Sequence, residues 1–193
     1  THQNILGTNE YIRKFAMKRG VRSENIYEDT DEEGLNGPED KDKIINAIIS
    51  SRGKGKTTIW VNTHGLPNYV CLAHGEAPEE VRGIYEGSCN GFKYDEFADI
   101  LIERGNLNDV TLIIDSCFGY NFAESLIKEL RGLGTFIYPT IITTANKGKT
   151  GSAFSFPFGL DISYFVYSLS HLESIYLSEG DPLLGGDIYK VEE

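Results

Sequence analysis

Two hydrophobic patterns alternate along this chain. Asn9–Arg19 places Tyr11, Ile12, Phe15 and Ala16 on one face at helical spacing, and Gly20 supplies a stop. Lys43–Arg52 repeats the pattern with Ile44, Ile45, Ile48 and Ile49, and Tyr94–Arg104 with Tyr94, Phe97, Ala98, Leu101 and Ile102. Phe122, Leu126, Ile127 and Leu130 mark a further helix, and Asp161–Leu172 the last. Between these lie short apolar, β-rich runs: Ile59–Thr63, Tyr69–Leu72, Val110–Ile114, Phe136–Thr143 and Asp187–Val191. Asn4–Leu6 reads as the end of a short first strand, and Ser23–Tyr27 as leading into another. Ala73–Gly91 is loop-like. Helices alternating with apolar runs predict an α/β fold, its mostly parallel sheet covered on both faces. The 193 residues suit a single domain, 1–193.

Two strand ends carry the chemistry. The run Val110–Ile114 ends in Asp115-Ser116-Cys117 just before a helix, where open α/β sheets place their ligands. The run Ile59–Thr63 ends in His64-Gly65-Leu66-Pro67. A parallel sheet would bring both ends to one edge and pair a thiol with an imidazole. A thiolate is a strong nucleophile, and an imidazole and a helix amino end both favour that form. Cys117 follows His64 by 53 residues, against about 50 in the caspase pattern.

On these residues the chain resembles the caspase-like clan of cysteine peptidases, which includes caspases, metacaspases, legumain, clostripain and gingipain. Asp115-Ser116-Cys117 is similar to the metacaspase motif, and His64-Gly65-Leu66-Pro67 to legumain. Asn108–Gly119 and Asp161–Leu169 resemble the catalytic subunit of GPI-anchor transamidase, a legumain relative. The likeness runs from about Tyr11 to Leu172. It implies a three-layer α/β/α sandwich and a cysteine endopeptidase acting on protein or peptide substrates. Cys117 would attack the scissile carbonyl and form a thioester. His64 would protonate the leaving amine and assist the hydrolytic water. The amides of Gly65 and Cys117 would bind the oxyanion. No cofactor is required for this chemistry.

In clan members that cleave after Arg or Lys, an acidic residue at the place of Asp115 lines the specificity pocket. The resemblance therefore implies cleavage after a basic residue, through a carboxylate–guanidinium contact. Legumain has glutamate there and cleaves after Asn, so an Asn/Asp-specific protease is the alternative, as is a transamidase using an amine acceptor. A structural cap is the plain reading of Asp115. Thr143-Thr144-Ala145 resembles the legumain strand end that walls the specificity pocket. An inactive caspase-like module that binds a partner is the alternative from another class.

Composition narrows this further. A net charge of −11 argues against nucleic acid as the main partner. No membrane span or signal peptide is visible, and Thr1 in place of methionine fits a processed product. Three cysteines are not a disulfide framework and leave at least one free thiol. Cys71, His74 and Cys89 form an incomplete zinc set, and Cys71 and Cys89 read as ordinary thiols. The acidic stretch Glu28–Asp42 reads as an exposed loop. Within it Asp29, Asp31, Glu33 and Asp40 approximate a calcium loop, with Pro38 intruding. Several clan members are calcium-activated, so the resemblance admits calcium activation. Arg52–Thr58 lacks the first glycine of a phosphate-binding loop and precedes a strand, so it reads as a turn.

Overall fold

The computed structural model describes residues 12–14, 16–28, 38–63, 65–73, 90–143 and 188–189. In order these form α1 (Pro38–Ser50), β1 (Thr57–Asn62), β2 (Gly65–Leu66), β3 (Tyr69–Ala73), β4 (Asn90–Lys93), α2 (Tyr94–Arg104), β5 (Val110–Asp115), α3 (Gly119–Gly132), β6 (Thr140–Thr143) and β7 (Ile188–Tyr189). Residues 12–14 and 16–18 are also helical. The fold is α/β. One sheet has the order β1-β5-β6-β7, and its first three strands are parallel. β7 closes the edge antiparallel to β6. A second sheet, β2-β3-β4, is antiparallel throughout.

The parallel sheet has the apolar strands that such sheets require. Val110, Leu112 and Ile114 alternate along one pleat of β5 and join Ile141 of β6 in the main core. Against them pack Ile48 of α1, Phe97, Ala98 and Leu101 of α2, and Phe122, Ala123, Leu126, Ile127 and Leu130 of α3. Three helices therefore cover this pleat. Ile113 and Ile142 lie on the opposite pleat and are buried as well. The expected helix Asp161–Leu172 and first strand Asn4–Leu6 lie outside the described residues.

The helix ends follow their glycines. After α3, Gly134 has φ +84°, its amide bonds the Arg131 carbonyl, and the Thr135 amide bonds the Leu130 carbonyl. This is a Schellman stop. Gly20 (φ +87°) ends the first helical stretch with the same pair of bonds, from Gly20 to Met17 and from Val21 to Ala16.

Several expectations need correction. The acidic loop stops at Pro38, because proline is favoured in the first turn of a helix and α1 starts there. Ser23–Asn25 is a 3-10 turn, and residues 26–28 are not paired into a strand. The Phe136–Thr143 run is strand only from Thr140, and Phe136 is 91 % exposed. The expected loop Ala73–Gly91 overlaps strand β4, which begins at Asn90 and pairs with β3. The strand at Asp187–Val191 is described only at Ile188–Tyr189. Arg52–Thr58 is a turn opening β1, with Gly53 and Gly55 at positive φ.

A buried arginine holds the end of the sheet where the parallel strands begin. Arg104, at the end of α2, is 0 % exposed. Its Nε donates to Ser51 Oγ (3.1 Å), and its other nitrogens donate to the carbonyls of Gly105 (2.8 Å) and Asn106 (2.8 Å) and to Thr57 Oγ1 (2.9 Å). The guanidinium thus ties the turn after α1 and the start of β1 to the end of α2. Lys41 makes a second tie. Its Nζ bonds Glu96 (2.7 Å) and the Gly91 carbonyl (2.9 Å) and lies 5.0 Å from the Phe92 ring centroid.

Truncating Arg104 strips donors from several acceptors at once. Arg104→Leu is expected to lower the unfolding free energy by about 3 kcal/mol. Ser51→Ala, which removes one acceptor, should cost only about 1 kcal/mol. Denaturant unfolding of the two variants measures both.

Candidate active site

β1 and β5 run parallel with Thr57 opposite Val110 and Asn62 opposite Asp115. The Thr63 amide continues the ladder to the Asp115 carbonyl at 3.2 Å. Both motif-bearing strands therefore end level, at one edge of the sheet. Past that edge β5 turns through Ser116, Cys117 and Phe118 into α3. Phe118 is left-handed (φ 56°), a conformation that costs a bulky residue about 1–2 kcal/mol. Two bonds hold the turn: the Gly119 amide to the Ser116 carbonyl (3.2 Å), and the Phe122 amide to the Phe118 carbonyl (3.1 Å). Phe118 is also the N-cap and makes no side-chain cap, so the cysteine precedes a helix end that this residue leaves uncapped.

Gly65 meets this turn directly. A Cβ on Gly65 would lie 2.3 Å from the Cys117 carbonyl oxygen and 2.8 Å from Ser116 Oγ. Only glycine lets β2 pass so close. Gly119 is tight for a similar reason, since a Cβ there would lie 3.1 Å from the Ile114 carbonyl oxygen. Hence the Gly65 backbone, the Ser116 hydroxyl and the Cys117 main chain form one contact.

β2 is held from behind. It pairs with β3 through the two-residue turn Pro67-Asn68, and Leu66, Tyr69 and Cys71 form a small buried cluster. The Thr63 hydroxyl donates to the Cys71 carbonyl, fastening the end of β1 to β3. β3 pairs with β4, and Phe92 of β4 makes an edge-to-face contact with Phe97, which makes another with Phe122 of α3. A continuous packed path thus links the helix layer to Gly65.

Of the residues proposed from sequence, the structure brings Gly65 and Cys117 into contact. Asp115 lies two positions before Cys117, at the end of β5, and is 5 % exposed. Thr143, also buried, ends β6, with Ile114 of β5 as its partner in register. It therefore belongs to the same sheet edge. His64, Thr144 and Ala145 lie outside the described residues, as do Asp29, Asp31 and Glu33. Asp40 falls in the opening turn of α1. Among the described residues, no group of three or more His, Cys, Asp or Glu side chains could hold a metal ion.

The cysteines separate cleanly. Cys117 is in no disulfide and is half-buried. Cys71 is disulfide-bonded, which corrects its reading as an ordinary thiol and removes it as a zinc ligand, since a sulfur already in a disulfide is not a thiolate. The chain's remaining cysteine, Cys89, lies outside the described residues. Sequence reasoning also passed over Ser116, Phe118 and Gly119. The glycine after the Cys-Phe pair was an available signal of a tight turn. Nothing marked Ser116 as buried.

Protein-family models, curated proteins and solved structures were compared with the chain, and none matches it. No helix among the described residues is long and apolar enough to cross a membrane.

The close approach at Gly65 makes a sharp test. Gly65→Ala is expected to lower stability by about 2 kcal/mol, because the new Cβ meets backbone rather than a yielding side chain. Gly132→Ala, at a helical position with open space around the Cβ, should raise it by up to about 0.5 kcal/mol. Thermal unfolding distinguishes the two. Iodoacetamide labelling of Cys117 should change rate in the first variant only.

Proposed function

We propose that the chain is a caspase-like cysteine endopeptidase with Cys117 as nucleophile and His64 as its acid–base partner. The observation that carries this reading is the contact of Gly65 with the turn holding Cys117. Both chain neighbours of His64 support it, since Thr63 bonds Asp115 and Gly65 touches Cys117. A half-buried thiol outside any disulfide, between a parallel strand and a helix, fits the nucleophile's role.

The Cys117 thiolate adds to the scissile carbonyl carbon, and the carbonyl electron pair moves onto oxygen. The Gly65 and Cys117 amides stabilise that oxyanion. The imidazolium of His64 gives its proton to the amine nitrogen as the C–N bond breaks, leaving a thioester on Cys117. His64, now neutral, takes a proton from water as water adds to the thioester. Collapse releases the carboxylic acid and restores the thiolate. The positive end of the α3 dipole favours negative charge at this turn.

Asp115 and Thr143, buried at the ends of adjacent strands, are the proposed walls of the specificity pocket, with Thr144 and Ala145 continuing the second. Asp115 would select Arg or Lys before the scissile bond. The single-domain, three-layer α/β/α arrangement belongs to the same proposal. The buried Ile113 and Ile142 on the pleat away from α1–α3 support a third layer.

Fluorogenic peptides ending in Arg, Lys, Asn or Asp, assayed with and without calcium, test this. Turnover after Arg or Lys is expected, falling by about a thousandfold or more in Cys117→Ala and His64→Ala. Asp115→Asn should lower kcat/KM for Arg peptides by about a hundredfold. Cleavage confined to Asn or Asp peptides keeps the nucleophile and overturns the basic pocket. An intact thiol that ignores both these peptides and peptide electrophiles makes the chain a binding module instead.

A further inference from the structure

The Ser116 side chain is 6 % exposed, and its Oγ is buried without a hydrogen-bond partner. Buried hydroxyls ordinarily find one, and those that do not call for an explanation. Here the surroundings supply it. Ser116 lies between two glycines, its Oγ 2.8 Å from where a Gly65 Cβ would be and 3.6 Å from where a Gly119 Cβ would be. Neither neighbour has a side chain to offer. Both glycines approach the hydroxyl with backbone alone.

We propose that Ser116 is a positioning residue whose hydroxyl, unpaired in the free protein, hydrogen-bonds the Gly65 main chain when a tetrahedral oxyanion forms at Cys117. This rests on the reading of Cys117 as nucleophile and Gly65 as oxyanion donor. The hydroxyl is too deeply buried to touch substrate, so it acts through Gly65. As the oxyanion draws the Gly65 amide toward Cys117, the β2 backbone adjusts against Ser116 and the buried hydroxyl gains the bond it lacks. A bond made only in that state lowers the barrier without tightening substrate binding. The unpaired hydroxyl weakens the resting fold in exchange, a conflict between stability and activity found at many functional sites.

The test compares wild type with Ser116→Ala, which removes the hydroxyl and adds no bulk. The probe is a peptide aldehyde matched to the best substrate, because it forms a tetrahedral hemithioacetal on the thiol. Ser116→Ala should lose about tenfold in kcat and in aldehyde affinity, with KM and the rate of iodoacetamide labelling unchanged and with Tm equal or higher. A purely structural serine would instead lower Tm and raise KM together with the loss of kcat, and that result overturns the proposal. So does a variant with wild-type kcat and aldehyde affinity, provided wild type is active. Should wild type neither turn over peptide nor bind the aldehyde, the peptidase reading fails first, and the role of Ser116 falls with it.

Discussion

The parallel pairing of β1 with β5 is the constraint on which the rest depends. Its register sets Asn62 opposite Asp115, so two apolar runs far apart in the chain end at the same level. A slip of one residue would exchange the inward and outward faces of β5 and move Val110, Leu112 and Ile114 out of the helix-covered core. The register is thus held by burial along the strand, while the benefit appears at its end. Thr63 adds one bond past the last pair, and Gly65 turns onto the Ser116–Cys117 backbone.

The two ends of the sheet are built differently. Where the parallel strands begin, Arg104 is fully buried and its bonds go to hydroxyls and carbonyls, so the polar groups that meet there satisfy one another. Where they end, glycines press against main chain, a phenylalanine adopts the left-handed conformation and a serine hydroxyl is buried unpaired. The left-handed phenylalanine and the unpaired hydroxyl each cost stability. Their gathering in one turn is what a stiff frame can support, and strain of this kind collects where reactive groups are held in place.

The second sheet explains how that turn is held. β2 is two residues long and could not keep its position alone. It inherits rigidity from β3, through the hairpin and the Thr63–Cys71 bond, and β3 inherits it from β4, whose Phe92 leads by edge-to-face ring contacts to α3. Since α3 starts just after Cys117, the path returns to the residue it began beside. The Gly65–Cys117 contact is therefore closed from both sides, by the main-sheet register and by the aromatic contacts.

How much of this was legible follows from what each residue needs. The bounds of α2 and the buried run of β5 could be read directly, because a stripe at 3.6-residue spacing and a short apolar run rich in β-branched residues have few other solutions. The pairing of the Gly65 and Cys117 segments was legible as a motif. β4 was not, since Asn90-Gly-Phe-Lys has poor strand propensity and is a strand only because β3 lies beside it. Phe136–Pro139 failed in the other direction: apolar and β-rich, it pairs with no strand among the described residues and stays outside the sheet. The disulfide at Cys71 and the buried Ser116 hydroxyl left no trace in local pattern. The sequence by itself determined the alternation of helix and strand and the residues that cap and break them, because these depend on neighbours a few positions away. Only the tertiary structure decided which backbone touches which at the sheet edge, because a contact of Gly65 with Cys117 is a property of two strands in register and not of either one.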